Sequence, residues 1–159
     1  MNNALYKLQT FVLFVGTVFS WTTVFSDFSH FYNIYGSVTK IAGCTIPNPV
    51  TTPCFYGALA FLIAFIWSIS ILSKKLKGTN IAKAQKGLRT LLIAGTIFAW
   101  SNFGFEAYKF YASSSVEKTS CSGVTTQNVF LTPCFYGSVI YLTALIVSLL
   151  IAKKTSTRA

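Results

Sequence analysis

The chain has 159 residues, of which 53% are hydrophobic and only 10% charged. A soluble domain of this size carries about 25% charge, so most of this protein's surface must meet lipid rather than water. The net charge of +10 invites a nucleic-acid reading. No basic, aromatic-interleaved soluble surface is left to bind nucleic acid, and that class is set aside.

In chain order, the first long apolar run covers Leu8 to Ser26, after Lys7. It exceeds the roughly 7–15-residue core of a signal peptide and lacks a small-x-small cleavage site, so it reads as a retained helix. Three more runs follow, from Pro53 to Leu72, Leu88 to Phe105 and Pro133 to Ala152. A helix needs about 20 apolar residues to cross a bilayer. None of the runs alternates as a membrane β-strand would, and a backbone in hydrocarbon must satisfy its own hydrogen bonds. The expected fold is all-α: a single transmembrane domain of four spanning helices, residues 1–159.

Charge sets the expected orientation. Lys7, the loop holding Lys74, Lys75, Lys77, Lys83, Lys86 and Arg89, and the tail with Lys153, Lys154 and Arg158 fall on one side. Only Lys40, Lys109 and Lys118 fall on the other, together with Asp27, Glu106 and Glu117. The positive-inside rule puts both termini and the basic loop, residues 74–89, in the cytoplasm. The lysines there also suit anionic lipid head groups.

The halves repeat each other. Gly16-Thr17-Val18-Phe19-Ser20-Trp21 matches Gly95-Thr96-Ile97-Phe98-Ala99-Trp100, and Thr52-Pro53-Cys54-Phe55-Tyr56-Gly57 recurs unchanged as Thr132-Pro133-Cys134-Phe135-Tyr136-Gly137. The offsets hold at 79 or 80 residues. Repeat one covers about 8–77 and repeat two about 88–156. Each is helix, outer loop, helix, so both cross in the same sense, which implies a pseudo-two-fold axis along the membrane normal and a four-helix bundle. Gly57, Ala58, Ala60, Gly137 and Ser138 are expected to let helices approach closely. Trp21 and Trp100 read as packing residues, and Tyr32, Tyr35, Tyr108 and Tyr111 as an interfacial belt.

Each outer loop holds two cysteines, Cys44 with Cys54 and Cys121 with Cys134. An even count in an oxidising compartment points to disulfides, most simply within each loop, although four cysteines allow three connectivities. Zinc is disfavoured because no CxxC spacing exists. Thr-Pro-Cys reads as N-cap, first and second helical residue. The sulfur then lies at the positive end of a helix dipole, which favours thiolate and thiol exchange. Passive staples and a redox pair both fit this pattern.

Asp27 and Glu106 occupy equivalent positions near the outer ends of spans one and three, with His30 and Lys109 three residues on. Residues i and i+3 share a helix face. They read as interfacial charges paired with neighbours or as a proton-handling site near the thiols. His30 is the only histidine, so no symmetric histidine mechanism exists. The chain has no Ser-His-Asp arrangement, HExxH, P-loop or GxGxxG.

A four-helix membrane core with paired cysteines at its outer ends resembles the vitamin K epoxide reductase and DsbB family of disulfide-generating membrane oxidoreductases. The segment from Cys44 into Cys54-Phe55-Tyr56-Gly57 looks like that family's loop-cysteine segment entering its second helix. Cys134 lies where the family places its quinone-side cysteine. The likeness covers most of the chain, mainly as topology. It implies a quinone acceptor, a thioredoxin-like extracytoplasmic partner, and Cys134 with Cys121 nearest the quinone. The alternative expectation is a non-enzymatic membrane structural or interaction protein, or a small transporter subunit, with two structural disulfides in its outer loops.

Overall fold

Apolar runs bounded by Pro, Gly and lysine clusters should fold as long helices, and they do. The structure, a computed structural model, describes residues 3–40, 46–77, 80–112 and 128–156. Four helices account for most of these: α1 (Asn3–Tyr35), α2 (Pro53–Leu76), α3 (Ala82–Ala112) and α4 (Pro133–Ser156). Short 3₁₀ turns, Pro49–Thr51 and Val129–Leu131, lead into α2 and α4. No strand occurs among the described residues.

Each helix outruns its apolar segment. The 33 residues of α1 extend about 50 Å at 1.5 Å per residue, well beyond the ~30 Å of a hydrocarbon core. Asp27 and His30 therefore lie on helix rather than in a loop. The helix stops where Gly36 takes φ +66 and its N–H donates to the Tyr32 carbonyl at 2.8 Å. That left-handed closure suits a residue without a Cβ.

Among the described residues, three helices are long and apolar enough to cross a membrane: α1, α2 and α4 over Pro133–Lys154. The fourth expected span, α3, is less apolar. Lys83, Lys86 and Arg89 occupy its first turns, and Ser101, Asn102 and Gly104 interrupt its other half.

Helix α1 packs on α2 and α4, and α3 packs on the same two. The four therefore form a ring in which α1 faces α3, and α2 faces α4, across the diagonals. The buried residues of α1 include Tyr6, Gln9, Leu13, Thr17 and Val24. Those of α3 are Gln85, Leu88, Leu92, Thr96 and Phe103, each 79 positions later. In α2 they are Ala58, Phe61, Ala64, Ser68 and Ile71. In α4, Ser138, Tyr141, Ala144, Ser148 and Ile151 are buried 80 positions later. Inward positions thus recur at steps of three and four, the spacing that lets helices interlock along a seam. The outward faces carry large apolar side chains such as Phe11, Phe25, Ile63, Ile66 and Ile97, all exposed. An apolar exterior of that extent is a membrane or partner surface.

The bundle has a cysteine end, at the starts of α2 and α4, and a lysine end. Near the lysine end a polar layer crosses the interior. Gln85 Nε2 donates to Gln9 Oε1 at 3.0 Å and to Ser148 Oγ at 3.3 Å. Thr10 and Ser68 hydroxyls meet at 2.8 Å. Gln9 is 1% exposed and Gln85 8%, so the amide pair ties α1 to α3 across their diagonal.

Candidate functional site

The repeated Thr-Pro-Cys segments build the cysteine end twice. Asn48 accepts from Val50 N–H at 3.0 Å and so caps the 3₁₀ turn. Asn128 does the same for Phe130 N–H at 3.0 Å. Thr52 then turns extended, with φ −85 and ψ 148, and Pro53 opens α2. Thr132 is extended likewise, with φ −80 and ψ 149. The expected threonine cap differs in one respect. The Thr52 side chain makes no cap bond to its helix. Its hydroxyl donates to the Pro49 carbonyl at 2.7 Å, and Thr132 donates to Val129 at 2.7 Å. Each of these 3₁₀ carbonyls also accepts the same threonine's backbone N–H, at 3.1 Å for Pro49 and 3.3 Å for Val129, so the threonine closes the turn with both its donors. The backbone carbonyls of Thr52 and Thr132 accept the Phe55 and Phe135 amides instead, at 3.2 and 3.1 Å.

Both cysteines consequently sit in the first turn of a helix, and the two helices lie on one diagonal of the ring. Cys54 Sγ and Cys134 Sγ approach to 3.7 Å. That is van der Waals contact, not the ~2.05 Å of a disulfide bond. Both side chains are partly exposed. The expected intraloop partners, Cys44 and Cys121, lie outside the described residues, so the expected 44–54 and 121–134 pairings do as well. The contact across the diagonal joins sequence-equivalent cysteines, a pairing that reading loop by loop does not single out.

Beneath the sulfurs lies a cavity of about 70 Å³. Its wall is built from equivalent residues of the two halves: Cys54 and Cys134, Gly57 and Gly137, Phe61 and Tyr141. Phe19 and Phe98, and Thr23 and Asn102, also line it. The floor closes where the Phe61 and Tyr141 rings meet, 3.9 Å between centroids, and where the Tyr141 hydroxyl donates to the Gly57 carbonyl at 3.3 Å. The polar side chains of the wall donate to backbone. Thr23 donates to Phe19 at 3.0 Å, Asn102 to Phe98 at 2.7 Å and Ser138 to Cys134 at 2.7 Å.

The glycines correct one sequence expectation. A Cβ added at Gly57 or Gly137 would meet nothing within 4 Å, so these glycines open the cavity rather than letting helices touch. Close approach falls to Gly16 and Gly95 instead. A Cβ there would lie 2.5 Å from the Phe61 ring and 2.6 Å from the Tyr141 ring. Ala58 and Ser138 are fully buried, and the Ser138 hydroxyl reaches the Ala99 carbonyl of α3 at 3.2 Å, so they do serve contact.

Asp27 and Glu106 lie one on each side of this region, on α1 and α3. Asp27 is half-buried and near enough to Cys54 for their charges to interact. Glu106 Oε2 is sealed from solvent. His30 is exposed, and Lys109 sets its ammonium 4.4 Å from the Phe105 ring centre. Trp21 packs edge-on to Phe55, and Trp100 edge-on to Phe103. Among the described residues no group of three or more His, Cys, Asp or Glu is placed to hold a metal ion.

No protein-family model matches the chain, and neither does any curated protein or solved structure.

Proposed function

We propose that the chain is a multi-pass membrane protein in which all four helices cross the bilayer as a duplicated bundle. In this reading the termini are cytoplasmic, and Cys54 and Cys134 form one extracytoplasmic thiol pair that carries out thiol–disulfide exchange. The carrying observation is that two sequence-equivalent cysteines, 80 residues apart, meet at 3.7 Å above a shared cavity. Helix α3 lies between α2 and α4 in the ring, which supports its crossing with them despite its weaker hydropathy.

The chemistry balances as follows. The thiolate of one cysteine and the thiol of the other form a disulfide, releasing two electrons and the remaining thiol proton. A membrane quinone takes both electrons, with this proton and the one given up when the thiolate formed, and becomes a quinol. The resulting disulfide oxidises a thioredoxin-like extracytoplasmic dithiol, which restores the pair. Asp27, half-buried on α1, serves as proton acceptor, with Glu106 its counterpart on the second half. The first-turn setting of both sulfurs favours the thiolate that such exchange requires.

A thiol-trapping redox titration of the purified protein, with and without a membrane quinone, tests this. The expected result is a pair more oxidising than about −300 mV and consumption of quinone that Cys134→Ser abolishes in a folded protein. A lower potential with no quinone consumed overturns it.

One observation favours the rival reading of a structural or interaction protein or small transporter subunit. The cavity, at about 70 Å³, is smaller than the ~150 Å³ void that accepts a benzene ring. A quinone ring must therefore react at its mouth. If the cysteines are passive, either serine variant lowers stability and no thiol reacts in the native protein.

A further inference from the structure

We propose that Cys54 and Cys134 together form a binding site for one soft monovalent d¹⁰ cation, of the class of Cu(I) or Ag(I). Soft thiolate donors select such ions, whereas carboxylate, carbonyl and water oxygens select hard ones. The cavity wall carries the two sulfurs among mostly apolar groups, with a few neutral hydroxyl and amide side chains. Its hydroxyl and amide donors at Thr23, Asn102 and Ser138 are committed to backbone carbonyls. A hard cation, which favours carboxylate ligands, finds no Asp or Glu in the cavity wall. Zinc, which takes four protein ligands in a closed site, finds no such set among the described residues.

The distances suit two-coordinate binding. Metal–thiolate bonds of a d¹⁰ ion are about 2.3 Å long, so a nearly linear sulfur–metal–sulfur unit sets its sulfurs roughly 4.5 Å apart. From 3.7 Å, the pair must part by less than about 1 Å, and a bent unit requires less movement. Gly57 and Gly137, one turn below each cysteine, leave open space into which the side chains can yield. Binding releases the thiol protons. The resulting anionic unit faces the positive ends of two helices, which offset its charge. Metal and disulfide claim the same sulfurs, so oxidation expels the ion.

The test is an anaerobic titration of the reduced, detergent-purified chain with Cu(I) against a chromophoric Cu(I) chelator, repeated with Ag(I). One ion per chain is expected, unchanged in the Cys44→Ser/Cys121→Ser variant. Changes to outer-shell groups cost roughly 10–100-fold in metal affinity, so loss of one of only two ligands should cost more than about 100-fold in Cys54→Ser or Cys134→Ser. Cys134→Met separates this inference from the redox proposal. It cannot form a disulfide, yet it retains a soft sulfur, so it should lose exchange chemistry and recover part of the affinity, with helix content unchanged. X-ray absorption should find two sulfur neighbours. Affinity that survives Cys54→Ser, or that vanishes with Cys44 and Cys121, overturns the site.

Discussion

Four glycines that look alike in the sequence have opposite physical roles. Gly16 faces the Phe61 ring and Gly95 the Tyr141 ring, each at a distance no real Cβ tolerates. Overpacking of this kind costs typically 1–3 kcal/mol. Gly16→Ala is therefore expected to destabilise the bundle by about 2 kcal/mol, read as a shift of the unfolding midpoint in mixed micelles. Gly57→Ala adds its methyl into open space. An alanine in a helix interior gains up to about 1 kcal/mol over glycine, so the same assay should show unchanged or higher stability. That methyl also narrows the cavity beside Cys54, and thiol reactivity there should fall. The sequence expected close packing at Gly57 and Gly137 because small residues line helix contacts. Which small residues face a neighbour is decided by the rotation of each helix, and no single residue displays that.

Elements show where the apolar pattern is a good guide and where it fails. Helices α1, α2 and α4 follow from long uncharged runs dominated by Phe, Leu, Ile, Val and Ala. The positions Thr52-Pro53 and Thr132-Pro133 mark the starts of α2 and α4 as expected, because proline fits the first helical turn and extended backbone precedes it. The threonine hydroxyls went elsewhere, since the 3₁₀ turn before each helix leaves no mark in the apolar pattern. Helix α3 carries Ser101 and Asn102 within its length, and we expect it to insert poorly as an isolated segment but well when followed by α4. A glycosylation-reporter insertion assay distinguishes the two. Gln9 and Gln85 bind α1 to α3 through a buried amide contact of 3.0 Å. Interhelical polar contacts in membranes average about 0.6 kcal/mol, reaching about 1.7. Removing one partner strands the other, so Gln9→Leu and Gln85→Leu should each destabilise, and the double variant should recover part of the loss. Additive losses would show that the amides do not interact.

At the scale of the molecule, the repeated sequence segments correspond to the two sides of the cysteine end. Helices α2 and α4, which carry the repeated segment, lie on one diagonal of the ring. Thr-Pro-Cys occurs at both equivalent positions, and the diagonal arrangement of α2 and α4 brings the sulfurs together. The repeat itself was the signal in the sequence that could have found this contact. Reading each loop separately hides it, because the nearest cysteine along the chain is then the obvious partner. Likewise the cavity is invisible in one dimension: its walls are Phe19, Cys54 and Gly57 with their equivalents Phe98, Cys134 and Gly137, drawn from all four helices. The lysine end and the apolar exterior, by contrast, follow directly from composition, because solvent and lipid act on each residue individually.

The most direct measurement uses the Cys44→Ser/Cys121→Ser variant, retaining only Cys54 and Cys134, in native membranes. After mild oxidation, peptide mapping by mass spectrometry should recover one intramolecular link between these cysteines, and in a parallel sample a membrane-impermeant thiol reagent applied from outside the cell before oxidation should label both and prevent the link. Two free thiols after oxidation, or blocking that requires access from the cytoplasm, contradicts the proposed thiol pair.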